Sequence, residues 1–184
     1  LVGSEMCIRD SHTTYLSCYN DETEASRKRL FMRQIKAYKD TLIAISDPNT
    51  ASYVTNKCGR LGLQGKWDEA IRILTGYYEH CTDTNPDKAR VEYLLAELYL
   101  GKRDMQQAKH FLIRASITDI ANAKKVYMSL QQLAILLFQE GDIARAYNYI
   151  SCSLEDVSFG KARYRIIDIA EYLPIIKAAN DSRI

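Results

Sequence analysis

The feature that most constrains the fold of this 184-residue chain is a segment that occurs three times at a constant interval. Equivalent residues of successive copies lie 38 positions apart, and the copies align without gaps through their central turn. Chance seldom produces the same spacing twice, so the pattern predicts an array of similar structural units. In each copy a small residue pairs with a later alanine: Cys58 with Ala70, Ala96 with Ala108, and Ala134 with Ala146.

Each copy carries the signals of two helices joined by a tight turn. Gly65 and Gly141 occupy the turn, where a left-handed residue ends a helix at low cost, and Arg103 takes this place in the middle copy. Asp104 and Asp142 follow as predicted N-caps of the second helix. The small residues on both helices would let an antiparallel pair approach closely.

Larger apolar residues at equivalent positions are predicted to fill the seams between neighbouring helices. No segment alternates apolar and polar residues, so no sheet is expected. The predicted seam residues are Leu61, Tyr99, Leu137, Leu74, Leu112 and Ile150. The predicted helices lie near 22–46, 50–64, 67–80, 87–101, 105–117, 122–139, 143–157 and 161–179.

The three copies resemble the tetratricopeptide repeat (TPR), whose usual period is about 34 residues. Here the extra length lies in the linkers, and the tryptophan typical of the first helix is absent. The resemblance implies an all-α, TPR-like solenoid of antiparallel helix pairs with a C-terminal capping helix. The expected repeats span about 51–82, 87–120 and 125–158, the capping helix spans about 161–179, and all belong to one helical domain, 12–184.

The first 11 residues are set apart because they resemble the translation of a transposon-end adapter used in sequencing libraries. We therefore expect the native chain to extend further upstream. The helix that carries Phe31, Ile35 and Tyr38 is then expected to lack its partner, which would leave its apolar stripe partly exposed.

The C-terminal half resembles a Bacteroidota group of TPR-bearing envelope proteins with a domain of unknown function. The resemblance rests on residues 114–120, 133–147, 154–159 and 162–166. It implies the periplasmic sensing part of a membrane-anchored regulator, touching the membrane only through a segment beyond Ile184. The alternative is an assembly adaptor with no signalling role, in the periplasm or the cytoplasm.

Composition and motifs favour a binding protein over an enzyme. The formal net charge of +2 does not argue for nucleic acid, and the longest apolar run, residues 133–138, is too short to span a membrane. The cysteines form no metal-type pairs with histidine, and no nucleophile elbow, phosphate loop or dinucleotide motif occurs. We predict no catalytic residues, no metal and no cofactor. The basic run across 27–39 is interpreted as a solvated helix face rather than a nucleic-acid footprint.

The predicted binding surface is one side of the first helix of each repeat. Aromatic and apolar residues there suit a groove for a protein or peptide, or for a small envelope ligand. For Ile135 and Phe138 the alternative is packing against the final helix. The candidate residues are Arg90, Tyr93, Glu97 and Leu100 in the middle repeat, and Met128, Gln131, Ile135 and Phe138 in the last.

Overall fold

The computed structural model describes residues 7–8, 11–12, 14–16, 18–19, 22–123, 128–159 and 163–182. Every regular element in these ranges is helical and none is a strand, which confirms the all-α prediction. Most of the proposed adapter sequence, residues 1–6 and 9–10, lies outside the described residues.

The helices closely follow those predicted from the sequence, with one clear difference. The sixth helix was expected from residue 122, but Asn122 ends the preceding helix and Ala123 has a left-handed backbone, φ 50°. The helices are α1 Ala25–Ile45, α2 Ala51–Gly62, α3 Trp67–Tyr78, α4 Lys88–Lys102, α5 Met105–Ala121, α6 Met128–Gln139, α7 Ile143–Phe159 and α8 Arg163–Asp181.

The chain divides into two compact units, Leu1–His80 and Cys81–Ile184. In the N-terminal unit α1 packs against α2, and α2 packs against α3. In the C-terminal unit each helix from α4 to α8 packs against the next along the chain, and α8 also touches α6. Sequential packing of this kind confines most contacts to helices that are neighbours along the chain.

The apolar stripe of α1 is partly exposed, as predicted, because Ile45 is 44% exposed and Phe31 and Tyr38 are only half-buried. Ile35 and Leu42 are buried. The ring of Tyr15 lies 6.1 Å from Phe31 and 5.5 Å from Tyr38, centroid to centroid. The segment that precedes α1 therefore covers part of the stripe through Tyr15 and leaves the rest accessible to solvent.

The small residues of the repeat occupy the close helix–helix contacts. Cys58 and Ala70 are fully buried in the N-terminal unit, and Ala96, Ala108, Ala134 and Ala146 are fully buried in the C-terminal unit. Without bulk at these positions, the helices of each hairpin can approach closely.

The turns and caps follow the local predictions. Gly65 and Gly141 have positive φ values of 76° and 84°, and Arg103 takes the same conformation at 66°. Asp104 accepts a hydrogen bond from the backbone N–H of Gln107 at 3.1 Å, and Asp142 accepts one from Arg145 at 3.2 Å. These carboxylates satisfy N–H groups that the first turn of a helix leaves without partners.

The final helix, α8, packs against α7 as a cap, as predicted, and it continues through Pro174. In the described part of the chain, no helix combines the length and the apolar character that crossing a bilayer requires.

Candidate functional site

Three of the predicted binding residues line one pocket in the C-terminal unit. Arg90 and Tyr93 of α4 and Met128 of α6 border a pocket of about 300 Å³. The rest of its wall comes from the chain before α4, from the first turn of α4, from the end of α5 and from the start of α6: Pro86, Asp87, Ala89, Asp119 and Ser129. Its size lies at the lower limit of ordinary ligand sites.

Helix periodicity and one hydrogen bond bring these residues together. Arg90 and Tyr93 are three positions apart on α4, so they project on the same side of the helix. Asp119 lies in the last turn of α5 and is buried, and it accepts a hydrogen bond from the hydroxyl of Ser129 at 3.2 Å. This bond joins the end of α5 to the first turn of α6, and the pocket lies where the two helices meet α4.

The pocket combines an apolar wall with charged groups at its edge. Pro86, Ala89, Tyr93 and Met128 provide the apolar surface. The guanidinium of Arg90 lies 3.9 Å from the carboxylate of Asp87, and both side chains remain about half accessible to solvent. Such a site can take an apolar side chain while its polar edge holds the adjoining backbone or a charged group.

The remaining predicted residues do not line this pocket. Glu97 is exposed, and Leu100, Ile135 and Phe138 are partly exposed. Gln131 is only 6 % exposed, so its predicted place on an open surface is wrong. The reason is that α6 packs against both α5 and α7, which buries more than one face of this helix.

A buried carboxylate of α4 was missed by the sequence analysis. Glu92 has no solvent exposure, and it accepts hydrogen bonds from Arg114 Nε at 3.3 Å and from Thr118 Oγ1 at 2.7 Å. A glutamate within a helix is usually a surface residue. The available signal was position, because Glu92 precedes the buried Ala96 by four residues and therefore shares its face.

A second ion pair fixes the segment that leads into α4. Lys88 is buried, and its ammonium group pairs with Asp83 in the preceding loop. The hydrogen bond from Lys88 and its positive charge lower the pKa of Asp83. The carboxamide oxygen of Asn85 also accepts a hydrogen bond from the backbone N–H of Asp87 at 2.9 Å. The Lys88–Asp83 ion pair and the Asn85–Asp87 hydrogen bond together fix the part of the pocket wall formed by residues 86 and 87.

Cys58 and Cys81 are not activated as nucleophiles. Burial raises the pKa of the Cys58 thiol to about 11, and burial also raises the pKa of Cys81. A thiol that stays protonated at neutral pH is a poor nucleophile and a poor metal ligand. Among the residues that the structure describes, no cluster of His, Cys, Asp and Glu could hold a metal ion.

Antiparallel helix pairs that cross at small residues, repeated at a fixed interval, define a TPR-type repeat domain. Residues 9–171 match the model of one family in particular, the SusR N-terminal TPR domain. The match spans most of the chain, so this protein belongs to that family. Domains of this architecture present extended surfaces for binding proteins or peptides.

Solved structures give a more distant likeness. A Podospora anserina protein described as a kinesin light chain, with nearly identical TPR-like repeats, is 11% identical, with a TM-score of 0.49. The match covers 96% of this chain and 97% of that one. A single-substitution variant of the same protein has the same identity and TM-score, with 97% and 98% covered. No curated protein matches.

Proposed function

We propose that this chain is the periplasmic sensing part of a membrane-anchored regulator, and that it recognises a peptide segment at the pocket formed by α4, α5 and α6. The observation that carries the proposal is the meeting of Arg90, Tyr93 and Met128 with Asp119 in a single pocket. TPR-type domains act by binding rather than by catalysis, and this pocket has the mixed apolar and charged lining that peptide recognition uses.

The size and chemistry of the pocket favour a peptide over a bulky cofactor. About 300 Å³ fits a side chain with its adjoining backbone. Tyr93 offers a flat amphipathic surface, and aromatic and arginine side chains contribute disproportionately to binding energy at protein interfaces.

Packing beyond the pocket supports a sensing role. Met128 and Ser129 begin α6, which packs against α7, and α7 packs against the final helix α8. A ligand that shifted α6 would act on a continuous series of packed helices that ends at α8. The resemblance of residues 113–166 to envelope regulators supports the same role.

The second candidate function, an assembly adaptor, is favoured by a different surface. Ile113, Ile117 and Ile120 of α5 are 40%, 60% and 58% exposed. Three exposed isoleucines at helical spacing form an apolar patch of the kind that marks protein interfaces. A permanent partner on this patch would require no signalling.

Peptide selection against the immobilised domain, followed by calorimetric titration of the selected peptides, tests the binding site. We expect Tyr93→Ala to weaken binding at least about tenfold, as loss of a central aromatic contact does. Tyr147→Ala is the matched control, because Tyr147 is a partly exposed tyrosine of α7 outside the pocket. Glu97→Ala should weaken binding less than Tyr93→Ala does, because Glu97 lies outside the pocket lining. Equal losses for Tyr93→Ala and Tyr147→Ala would refute this location.

The complete gene separates the sensor from the adaptor. A sensor should encode an apolar signal segment upstream, and about 20 consecutive apolar residues after Ile184. A gene with no apolar segment on either side would favour the adaptor. Fractionation of cells that express the full protein should place a sensor with the envelope.

A further inference from the structure

A groove in the N-terminal unit concentrates positive charge. Arg29, Arg33 and Lys36 of α1 line an open groove of about 510 Å³, and Arg60 of α2 borders it. The sequence analysis interpreted this part of α1 as a solvated helix face. The structure differs, because α2 supplies a second wall and turns the basic face into one side of a groove.

The three cations that α1 contributes to the groove are not neutralised within the described structure. Arg60 pairs with Asp40 through two contacts, Nε to Oδ1 at 2.7 Å and Nη2 to Oδ2 at 3.3 Å. This ion pair neutralises the negative charge of Asp40, which also lines the groove. Arg29, Arg33 and Lys36 make no ion pair with any residue that the structure describes. The groove therefore carries an excess of three positive charges.

The spacing of these charges suits an extended acidic chain. The cations lie four and three positions apart on one face of α1, which at 1.5 Å per residue places them about 6 Å and about 4.5 Å apart along the helix axis. Alternate residues of an extended peptide are separated by about 6.6 Å and point to the same side. Guanidinium groups also match the geometry of carboxylates. Met32 and Ala37 add apolar surface for the stems of acidic side chains.

We infer that the groove between α1 and α2 is a docking site for an acidic peptide segment of a protein partner. The site lies in a different unit from the pocket of α4, α5 and α6 and does not depend on the function proposed for that pocket. A single-stranded nucleic acid fits less well, because such sites stack bases on aromatic side chains and the lining of this groove contains none.

Fluorescence anisotropy with the full chain tests the inference. The probe is a fluorescein-labelled peptide of alternating Glu and Gly, about 12 residues long so that it spans all three cations. We expect binding at about 50 mM salt and a strong loss at about 500 mM, where charges are screened. The same peptide with Gln in place of Glu should not bind. Equal binding of the two peptides, or no binding of the acidic peptide at low salt, would overturn the inference.

Charge-reversal variants locate the site. Arg33→Glu should lower the affinity for the acidic peptide about tenfold or more, whereas Arg33→Lys should retain most of it. Arg72→Glu makes the same charge change at an exposed position of α3, outside the groove and in the same unit, and should leave the affinity unchanged. Helical circular dichroism establishes that each variant is folded. An equal loss for Arg33→Glu and Arg72→Glu would show only a general charge effect and overturn the inference.

An oligothymidylate of about 12 nucleotides tests the alternative polyanion, a single-stranded nucleic acid. Binding of the acidic peptide in preference to the oligothymidylate supports a protein partner. If the oligothymidylate binds more tightly, and Arg33→Glu abolishes that binding, the groove is a nucleic-acid surface and the acidic-peptide inference is wrong.

Discussion

The two compact units differ in how their helices are buried, although both contain the same repeat. In the C-terminal unit, α5 has six buried residues and α6 has seven. In the N-terminal unit, α1 and α3 have two each. Within their own units, α5 and α6 pack against a helix on either side, whereas α1 and α3 each pack mainly against one helix, α2.

The difference lies between the units and does not follow from the number of neighbours alone. Helix α4 packs mainly against α5, yet it also has seven buried residues. Resistance to local opening follows the density of buried contacts. We therefore expect the slowest hydrogen exchange in residues 95–150 and faster exchange in α1.

The strongest test of this comparison truncates the same core position in each unit. Leu74 and Leu112 are equivalent residues of successive repeats, and both are fully buried. Each substitution to Ala should cost about 2–5 kcal/mol of the free energy of unfolding, with Leu112→Ala nearer the upper value because its better-packed surroundings collapse less. Hydrogen exchange should accelerate mainly in the unit that carries the substitution. Equal acceleration in both units would show that they unfold as one.

Overpacking the close contacts should have the next largest effect. Ala70→Leu and Ala108→Leu each insert a large side chain at a fully buried position, and each should cost about 1–3 kcal/mol in urea denaturation. Gln106→Leu on the exposed side of α5 is the control. Lys109 is unsuitable because its ammonium group pairs with Glu140. A control as destabilising as Ala108→Leu would refute the repeat register.

Mild acid should weaken the N-terminal unit selectively. Burial, with a smaller contribution from the charge of Lys39, lowers the pKa of His12 from 6.5 to about 4. Because the pKa is depressed in the folded chain, the stabilisation is present above pH 6.5 and is lost as the pH falls towards 4. Partial solvent access limits the loss to about 1 kcal/mol.

Trp67 allows this effect to be measured, since it is the single tryptophan and lies in the N-terminal unit. The urea midpoint reported by its fluorescence should fall between pH 7 and pH 5 in the wild type. His12→Gln should reduce that fall. An unchanged pH dependence in His12→Gln would exclude His12 as its source.

The smallest expected effect concerns the turn of the middle repeat. Arg103 holds a left-handed conformation that glycine adopts without strain, so Arg103→Gly should stabilise the chain by up to about 1 kcal/mol. Gly65→Ala and Gly141→Ala should destabilise by a similar amount. A Cβ at either glycine would meet no atom within 4 Å, so the cost there comes from the backbone alone. If Arg103→Gly destabilises the chain, the contacts of the arginine side chain stabilise the fold by more than the strained backbone costs.

Local signals predicted most of the fold. The turn residues Gly65, Arg103 and Gly141 and the caps Asp104 and Asp142 act over a few positions, and each was identified from its neighbours in sequence. The small residues of the hairpins were also predicted correctly, because their spacing is fixed by the helix period.

Features that depend on the meeting of distant segments were not predictable in the same way. Tyr15 covers Phe31 and Tyr38 from a segment with no clear helical pattern. Gln131 is buried because α6 has neighbours on two sides.

The candidate sites show the same limit. Arg90 and Tyr93 were predicted from one helix face, but no sequence pattern predicted that Asp119 and Ser129 lie beside them. The basic run of α1 was visible in the sequence, whereas its groove required the position of Arg60 on a second helix.

The fixed interval between equivalent residues has a consequence for how the length of this chain can change during evolution. One residue inserted or deleted inside a helix rotates everything beyond it by about 100°, which would move Ala96 or Ala108 away from its contact. A change in the length of the segment between Tyr78 and Lys88, which joins α3 to α4, does not alter which residues share a face within any helix. Among relatives, gaps should therefore collect in such linkers or remove a whole 38-residue module at once.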